Sequence, residues 1–214
     1  MSRKTILKHN YDETDFKGAL QIAFEHDNTL LIEKFIPGRE FRIFIINDEV
    51  VGILHRVPAN VTGDGVLNIG QLIDRKNEDP LRGKGYRTPL EKIRKGREEE
   101  MFLKQQGMDF NTVPKEGEVV YLRENSNIST GGDSIDFTDD IDDSYKAIAV
   151  EAAKALNVKI TGLDMMIQDI HAPATPDNYA IIEMNFNPAI HIHCYPFKGK
   201  NRHLNHKMIR ALGF

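Results

Sequence analysis

Apolar and polar side chains alternate along several short stretches of the chain with a period of two residues. This alternation is typical of strands that bury one face. The predicted strands are TLLIEKF, EFRIFIIN, VVGILHRV, EVVYLR, LDMMIQD and YAIIEMN. The second and third are joined across Asn47, Asp48 and Glu49, so they are predicted to form a hairpin. The sheet is therefore expected to be at least partly antiparallel.

Other stretches place apolar residues at helical spacing. A first helix is predicted to end at His26, with Thr14 or Asp12 as its cap, and a last one to run from Asn201 to Leu212. Between them, the predicted helices are GQLIDRKNE, PLEKIRKGREEEMFLKQQG and SYKAIAVEAAKALN. Because strands and helices do not alternate regularly, the pattern predicts an α+β fold with an antiparallel sheet.

Composition and charge narrow the class of protein. The 214 residues carry a formal net charge of −4, so no global field attracts nucleic acid or an anionic membrane. The chain has no apolar run of transmembrane length, and its start continues into acidic YDETD rather than into a signal-like apolar region. Cys194 is the only cysteine, which excludes an internal disulfide. We therefore expect a cytoplasmic protein that binds neither nucleic acid nor membrane.

Three oxygen-bearing side chains near the end of the chain suggest a metal site. Glu183 and Asn185 are two residues apart on one predicted strand, so they share a face, while Ile182 and Met184 are expected to point into the core. If the preceding strand runs antiparallel, Asp164 joins that face. Oxygen ligands without Cys or His suit Mg²⁺ or Mn²⁺. A hairpin with an ordinary polar outer face is the alternative.

These residues carry a family resemblance. ITGLDMMIQD followed by YAIIEMNFNPAI resembles the terminal signature of the ATP-grasp superfamily, in which an Asp and a Glu-x-Asn on successive strands hold the magnesium ions that bridge ATP phosphates. LLIEKFIPGREFRIFIINDEVVGILHRVPANVTGDGVLNIGQLI, residues 30–73, is similar to the nucleotide-binding hinge and hairpin of that superfamily. The closest likeness is to the C-terminal ATP-grasp part of bacterial bifunctional glutamate–cysteine ligase/glutathione synthetases, and cyanophycin synthetase is also similar. The resemblance implies an ATP-grasp fold with ATP and Mg²⁺ or Mn²⁺ as cofactors.

The resemblance also implies roles in nucleotide binding. The hinge residues that would border the adenine are Glu33, Lys34, Phe35 and Ile36. Glu40 would accept hydrogen bonds from the ribose hydroxyls, and Arg42 would point toward the phosphates. From the residues alone, a strand ended by a turn at Pro37 and an exposed face of the hairpin remain alternatives.

Two further arginines are candidates for the reaction itself. Arg56 ends a strand before PANVTGDG, and its planar fork suits phosphate or carboxylate oxygens. Arg123 lies in YLRENSNISTGG, which is similar to the family segment that lines the acceptor pocket, and would stabilise the acyl phosphate as it is attacked. The loops VTGDG and STGGD could present backbone N–H groups to anions, although glycine-rich turns are mostly only turns.

Two further patches of the sequence contain charged or metal-ligand residue types, but neither is interpreted as a functional site. HIHC, residues 191–194, packs zinc-ligand types together but has no partner motif, and the resemblance places it in a loop that faces the acceptor substrate. GREEE, residues 96–100, is interpreted as a solvated helix face with ion pairs.

The expected organisation and function follow from the resemblance. Residues 1–28 are expected to be a remnant of the upstream ATP-binding lobe, because no glycine-rich lid motif precedes the hinge, and residues 29–214 to be the C-terminal lobe. A fragment or truncated paralogue is thus expected, acting with an upstream ligase portion of the same polypeptide. The expected reaction joins glycine to γ-glutamylcysteine through an acyl phosphate. A non-catalytic nucleotide-binding module and a cyanophycin synthetase-like ligase are the alternatives, and a homodimer is left open.

Overall fold

The computed structural model describes residues 13–214 apart from His26, Glu33, Phe35 and Tyr86. The chain divides into two compact units, residues 1–37 and 38–214. The domain boundary predicted after residue 28 stays a prediction.

The described part of the first unit contains one helix, α1, from Glu13 to Phe24. The strand predicted over TLLIEKF is wrong for the residues described there, which form no regular element. Leu31 and Ile32 are 82% and 67% exposed, so neither side chain has the buried face that makes a strand stable.

The second unit contains the remaining helices and all the strands described. In chain order they are β1 Arg39–Ile46, β2 Glu49–Val57, β3 Asn60–Thr62, α2 Ile69–Lys76, β4 Arg82–Gly83, β5 Leu90–Glu91, α3 Arg97–Gln105, β6 Val119–Tyr121, β7 Asp133–Asp136, α4 Asp143–Ala155, β8 Ile160–Ile167, β9 Tyr179–Asn185, α5 His191–Cys194 and α6 Leu204–Ala211. Among these residues, no helix is both long and apolar enough to cross a membrane.

A five-stranded sheet in the order β7-β2-β1-β8-β9 forms the centre of this unit, and every neighbouring pair is antiparallel. The predicted hairpin joins β1 to β2 through Asn47 and Asp48, whose φ angles are +47° and +65°. Two successive positive φ angles match the right-handed twist of the flanking strands, and Asn and Asp tolerate them better than most residues. The predicted α+β fold with an antiparallel sheet is confirmed.

Alternation along the central strands separates two faces of the sheet. Phe41, Ile43 and Ile45 of β1 pack with β8 and with α4 in one core, and Asp142 caps the start of α4 by accepting from the N–H of Ser144 at 2.9 Å. On the opposite face, a second core forms where α5 and α6 cover the end of β1, including Phe44. The residues that begin β1 on that same face are Glu40 and Arg42.

A separate core lies under α2 and α3, against the two-stranded sheet formed by β3 and β6. Helix α3 is shorter than predicted. It begins at Arg97 because Gly96 is extended, with φ −106° and ψ −177°, and its N–H is bonded by the Glu99 carboxylate at 2.9 Å. Glu99 is only 1% exposed, so the interpretation of GREEE as a wholly solvated face is wrong at that residue.

Candidate active site

The predicted metal ligands lie together on β8 and β9. Asp164 is the direct cross-strand partner of Glu183, which places both carboxylates on one face of the sheet. A bulge follows, because Met165 pairs with Ile181 and leaves Ile182 without a partner. Ile182 is 52% exposed, so the expectation that it points into the core is wrong, whereas Met184 does pack against the core.

Asn185 completes this group of oxygen-bearing side chains. Its amide Nδ2 donates to Glu183 Oε1 at 3.1 Å, and its backbone carbonyl accepts from the Thr161 hydroxyl at 2.9 Å. Two carboxylates and an amide oxygen are hard ligands that fit Mg²⁺ or Mn²⁺. In the ranges that the structure describes, no group of three or more His, Cys, Asp and Glu side chains is arranged to hold a metal. The amide is therefore needed for a third ligand.

Arg42 binds the buried carboxylate of Asp164 through two guanidinium nitrogens. Arg42 Nε donates to Asp164 Oδ1, and Arg42 Nη2 donates to Asp164 Oδ2 at 2.8 Å. The two residues are cross-strand partners on β1 and β8, and Asp164 is 2% exposed. Such a bidentate pair is the strong form of an ion pair and fixes the orientation of the carboxylate. The guanidinium of Arg42, predicted to point toward phosphates, is thus committed to a predicted metal ligand.

Arg56 joins this pair to Glu40. Its Nη2 donates to Asp164 Oδ2 at 3.1 Å and is also paired with a Glu40 oxygen. The other Glu40 oxygen accepts from the hydroxyl of Ser126. The Nε of Arg56 is buried and has no hydrogen-bond partner in the structure. Arg56 therefore holds two acids while retaining an unused donor, which is the arrangement expected of a group that can accept an anionic ligand.

The remaining predicted site residues do not all join this cluster. Lys34 and Ile36 belong to the first unit, and Glu33 and Phe35 lie outside the described residues. Arg123 pairs with Glu98 and Glu99 of α3 instead, its Nε donating to Glu99 Oε1 at 2.6 Å. The structure gives the predicted charge-stabilising role of Arg123 no support, because two carboxylates neutralise its charge. That role stays a prediction.

The structure also contains a buried polar cluster that the sequence analysis did not anticipate. Asp133, 4% exposed, accepts from Lys76 Nζ at 2.7 Å, from Asn60 Nδ2 at 3.1 Å and from Arg82 Nη2. Both cations also lie over the ring of Phe197, at 5.2 and 5.4 Å from its centroid. Burial lowers the pKa of Lys76 and Arg82, while the Asp133 charge opposes that shift. No signal in the sequence links these positions, because they come from four separate elements.

The two glycine-rich loops use their own backbone donors. In VTGDG, the N–H groups of Gly63 and Gly65 bond the carbonyls of Glu118 and Pro114, and hydrogen bonds from the Leu67 and Val66 N–H groups hold the pKa of Asp64 at about 2. In STGGD, the N–H groups of Gly131 and Gly132 bond the carbonyls of Ile128 and Asn127, which come just before this loop. The suggestion that these N–H groups serve an anion is therefore wrong, since they are already satisfied.

HIHC forms the short helix α5, and no metal-ligand group includes it among the described residues. His193 is fully buried, lies edge-on to Phe44 at 5.3 Å and has no hydrogen-bond partner on either ring nitrogen in the structure. Burial, reinforced by the Arg42 charge, lowers the pKa of His193 to about 3. His193 is therefore a neutral core residue.

Comparison with a solved structure identifies the fold. The fold matches the crystal structure of a bifunctional glutathione synthetase from Pasteurella multocida with a TM-score of 0.78 and 45% identity, over 94% of this chain and 28% of that one. This match confirms the ATP-grasp fold predicted from the sequence. No protein-family profile matches the chain.

Two curated relatives agree with that assignment. The chain is 62% identical to the glutathione biosynthesis bifunctional protein GshAB of Desulfotalea psychrophila and 56% identical to that of Clostridium perfringens, over 98% and 97% of its length. The chain spans about a quarter of these relatives, 27% of each. The chain is therefore similar to one segment of these bifunctional glutathione biosynthesis proteins.

Proposed function

We propose that this chain forms the metal- and phosphate-binding part of an ADP-forming carbon–nitrogen ligase that joins γ-glutamylcysteine to glycine. The observation that carries the proposal is the group of Asp164, Glu183 and Asn185 on one sheet face beside Arg42 and Arg56. Hard oxygen ligands next to guanidinium groups suit a metal-bound polyphosphate. The identity of 62% to a segment of a glutathione biosynthesis protein supports the choice of substrates.

In the proposed reaction, a carboxylate oxygen of γ-glutamylcysteine attacks the γ-phosphorus of ATP, so that ADP leaves and an acyl phosphate forms. The amine of glycine then attacks the acyl carbon, phosphate departs, and the amine loses a proton to give the amide. Bound Mg²⁺ would neutralise phosphate charge during the first step. The protein's contribution is the positioning of the reacting groups.

The residues of the cluster have separate tasks in this scheme. Asp164, Glu183 and Asn185 would hold the metal through their oxygens. Arg56 would contact the transferred phosphoryl group, for which its buried and unpartnered Nε is suited. Arg42 orients Asp164 through its bidentate contact.

The resemblance to the ATP-grasp superfamily also supports roles in binding the nucleoside part of ATP. Glu40 would accept from the ribose hydroxyls, and the backbone of residues 33–36 would border the adenine. We further propose that the upstream ligase portion belongs to the same polypeptide, as the bifunctional names of the relatives suggest. The single free cysteine, Cys194, which is buried, fits a reducing compartment and hence the cytoplasm.

The activity test uses a whole protein, because the chain spans only about a quarter of its relatives. The matching segment of the Pasteurella multocida synthetase is replaced by this chain, and ADP release is measured with and without γ-glutamylcysteine and glycine. We expect ADP release that requires both substrates and Mg²⁺, and its loss when Glu183→Gln is added to the chimera. Equal ADP release by the chimera and its Glu183→Gln form would contradict the proposal.

Calorimetry on the chain itself gives a second measurement. We expect ATP to bind more tightly in Mg²⁺ than in EDTA. Nucleotide binding that is indifferent to metal would favour a nucleotide-binding module without ligase chemistry.

A further inference from the structure

The predicted metal ligand Asp164 already has cationic partners on both of its oxygens. Arg42 Nε binds Oδ1, while Arg42 Nη2 and Arg56 Nη2 bind Oδ2 at 2.8 and 3.1 Å. An ionised carboxylate offers about four lone-pair sites, so these three donors leave little room for a metal. A metal that binds Asp164 must therefore displace a guanidinium group or share an oxygen with it.

The two arginines differ in how firmly they hold Asp164. Arg42 makes two contacts from the neighbouring strand and is its direct cross-strand partner. Arg56 makes one longer contact, divides its charge with Glu40 and has an unpartnered Nε. Arg56 is therefore the group that can leave at lower cost.

Electrostatics determines when Arg56 can leave. A divalent cation beside two guanidinium groups is repelled by both, and a buried site screens that repulsion weakly. If Arg56 leaves Asp164, it keeps Glu40 as an anionic partner but loses part of its charge compensation in a buried site, which is unfavourable unless a new anion replaces Asp164. A polyphosphate removes both obstacles, because it gives Arg56 a partner and brings negative charge to the metal.

We propose that Arg56 acts as an interlock on the metal site: it occupies Asp164 until nucleotide phosphates arrive, and its transfer to the phosphates admits the metal. The inference rests on the proposed function, since it assumes the metal site of Asp164, Glu183 and Asn185. Metal loading then depends on nucleotide, and Arg56 has a placeholder role besides its contact with phosphate.

The test measures Mn²⁺ binding without nucleotide, by the loss of the paramagnetic resonance signal of free Mn²⁺. Arg56→Met is compared with the wild-type chain and with Arg39→Met. Arg39→Met is a matched control, because it removes the same charge from a guanidinium that lies over the Phe41 and Phe137 rings. We expect Arg56→Met to bind Mn²⁺ at least about tenfold more tightly than wild type, because the metal no longer competes with Arg56 for the Asp164 carboxylate. Arg39→Met should equal wild type.

A double variant shows whether the gain in Mn²⁺ affinity depends on Asp164. In Asp164→Asn the effect of Arg56→Met should vanish, because the two residues then no longer interact. Unchanged or weaker Mn²⁺ binding by Arg56→Met overturns the interlock, as does a gain that persists in the double variant.

A second measurement uses the wild-type chain, so it does not depend on how well a variant folds. The Nε–H signal of Arg56 is followed by ¹H–¹⁵N NMR. Mg²⁺ alone should leave it in place, and Mg²⁺ with ATP should shift it. An equal shift with Mg²⁺ alone overturns the interlock. If ATP binding in Mn²⁺ is absent both from the wild-type chain and from the chimera with the Pasteurella multocida synthetase, the proposed function itself fails, whereas metal-dependent ATP binding without the Arg56 effects rejects only the interlock.

Discussion

Asp133, the first residue of β7, accepts a hydrogen bond from Lys76 Nζ, in the last turn of α2, at 2.7 Å. The pair connects the five-stranded sheet to the separate core beneath α2 and α3. Arg82 holds the same carboxylate from β4, and its side chain is fully buried. Asp133 therefore neutralises two buried cations, Lys76 and Arg82, and its removal would leave both without a carboxylate partner.

We expect Asp133→Ala to lower the free energy of unfolding by about 3–5 kcal/mol, the range found when one partner of a buried ion pair is removed. Urea denaturation measures the change. Asp74→Ala is the control, because Asp74 pairs with Lys95 at 2.7 Å on the surface and should cost at most about 1 kcal/mol. Equal losses in the two variants would show that the Asp133 cluster is not a structural link.

The buried His193 predicts a pH dependence of stability. Its pKa is lowered from 6.5 to about 3, first by burial and then by Arg42, with Asp136 opposing and His191 reinforcing the shift. The folded state therefore binds fewer protons than the unfolded state between these values. Stability is complete above pH 6.5 and is lost as the pH falls toward 3, by about 2 kcal/mol between pH 7 and 5.

We expect His193→Leu to remove this share of the pH dependence and to unfold no more easily at pH 7, because the ring nitrogens have no partners to lose. Urea denaturation at about pH 7 and about pH 5 measures the change in the free energy of unfolding between the two pH values. The exposed His206, substituted by Gln, serves as the control and should leave the slope as it is. A His193→Leu slope equal to that of wild type would show that His193 is not the group that takes up the proton.

The grouping of Asp164, Glu183 and Asn185 was predictable because strand alternation and cross-strand pairing follow simple rules. Spacing alone puts Glu183 and Asn185 on one face, and an antiparallel partner brings Asp164 to them. The bulge at Ile182 was not predictable, since it depends on how two strands fit each other. The arginine contacts and the Asp133 cluster depend on elements far apart in the chain, which periodicity cannot relate. TLLIEKF shows the opposite error, in which an apolar stretch indicated a strand but the residues described there have no strand partner.

Glu183→Gln should weaken ATP binding in Mg²⁺ far more than ATP binding in EDTA, because it removes a charged metal ligand and keeps the shape of the side chain. Calorimetry in the two solutions gives the dissociation constant of ATP in EDTA divided by that in Mg²⁺. We expect this ratio to fall by roughly tenfold or more in Glu183→Gln, because a charge-assisted contact with the metal is lost. Glu151→Gln, on the exposed side of α4, is the control. Equal weakening in both solutions would contradict the metal assignment.

The last prediction concerns Glu40, which pairs with Arg56 and accepts from Ser126 in the structure. Glu40→Gln is therefore expected to lower the melting temperature, since an ion pair is lost. A ligand comparison separates this loss from ribose binding. If Glu40 accepts from the ribose, wild type should bind ATP about ten- to a hundredfold more tightly than 2′-deoxy- or 3′-deoxy-ATP, the range for a hydrogen bond to a charged group, and Glu40→Gln should lose most of that preference.

Ser126→Ala serves as the control for the Glu40 comparison, because it removes a neutral partner of Glu40 but keeps the carboxylate, so the preference should persist. A change in the stability of a variant does not affect its preference for ATP over the deoxynucleotides, since both nucleotides are measured on the same variant. A preference as large in Glu40→Gln as in wild type would show that the carboxylate serves Arg56 and not the ribose.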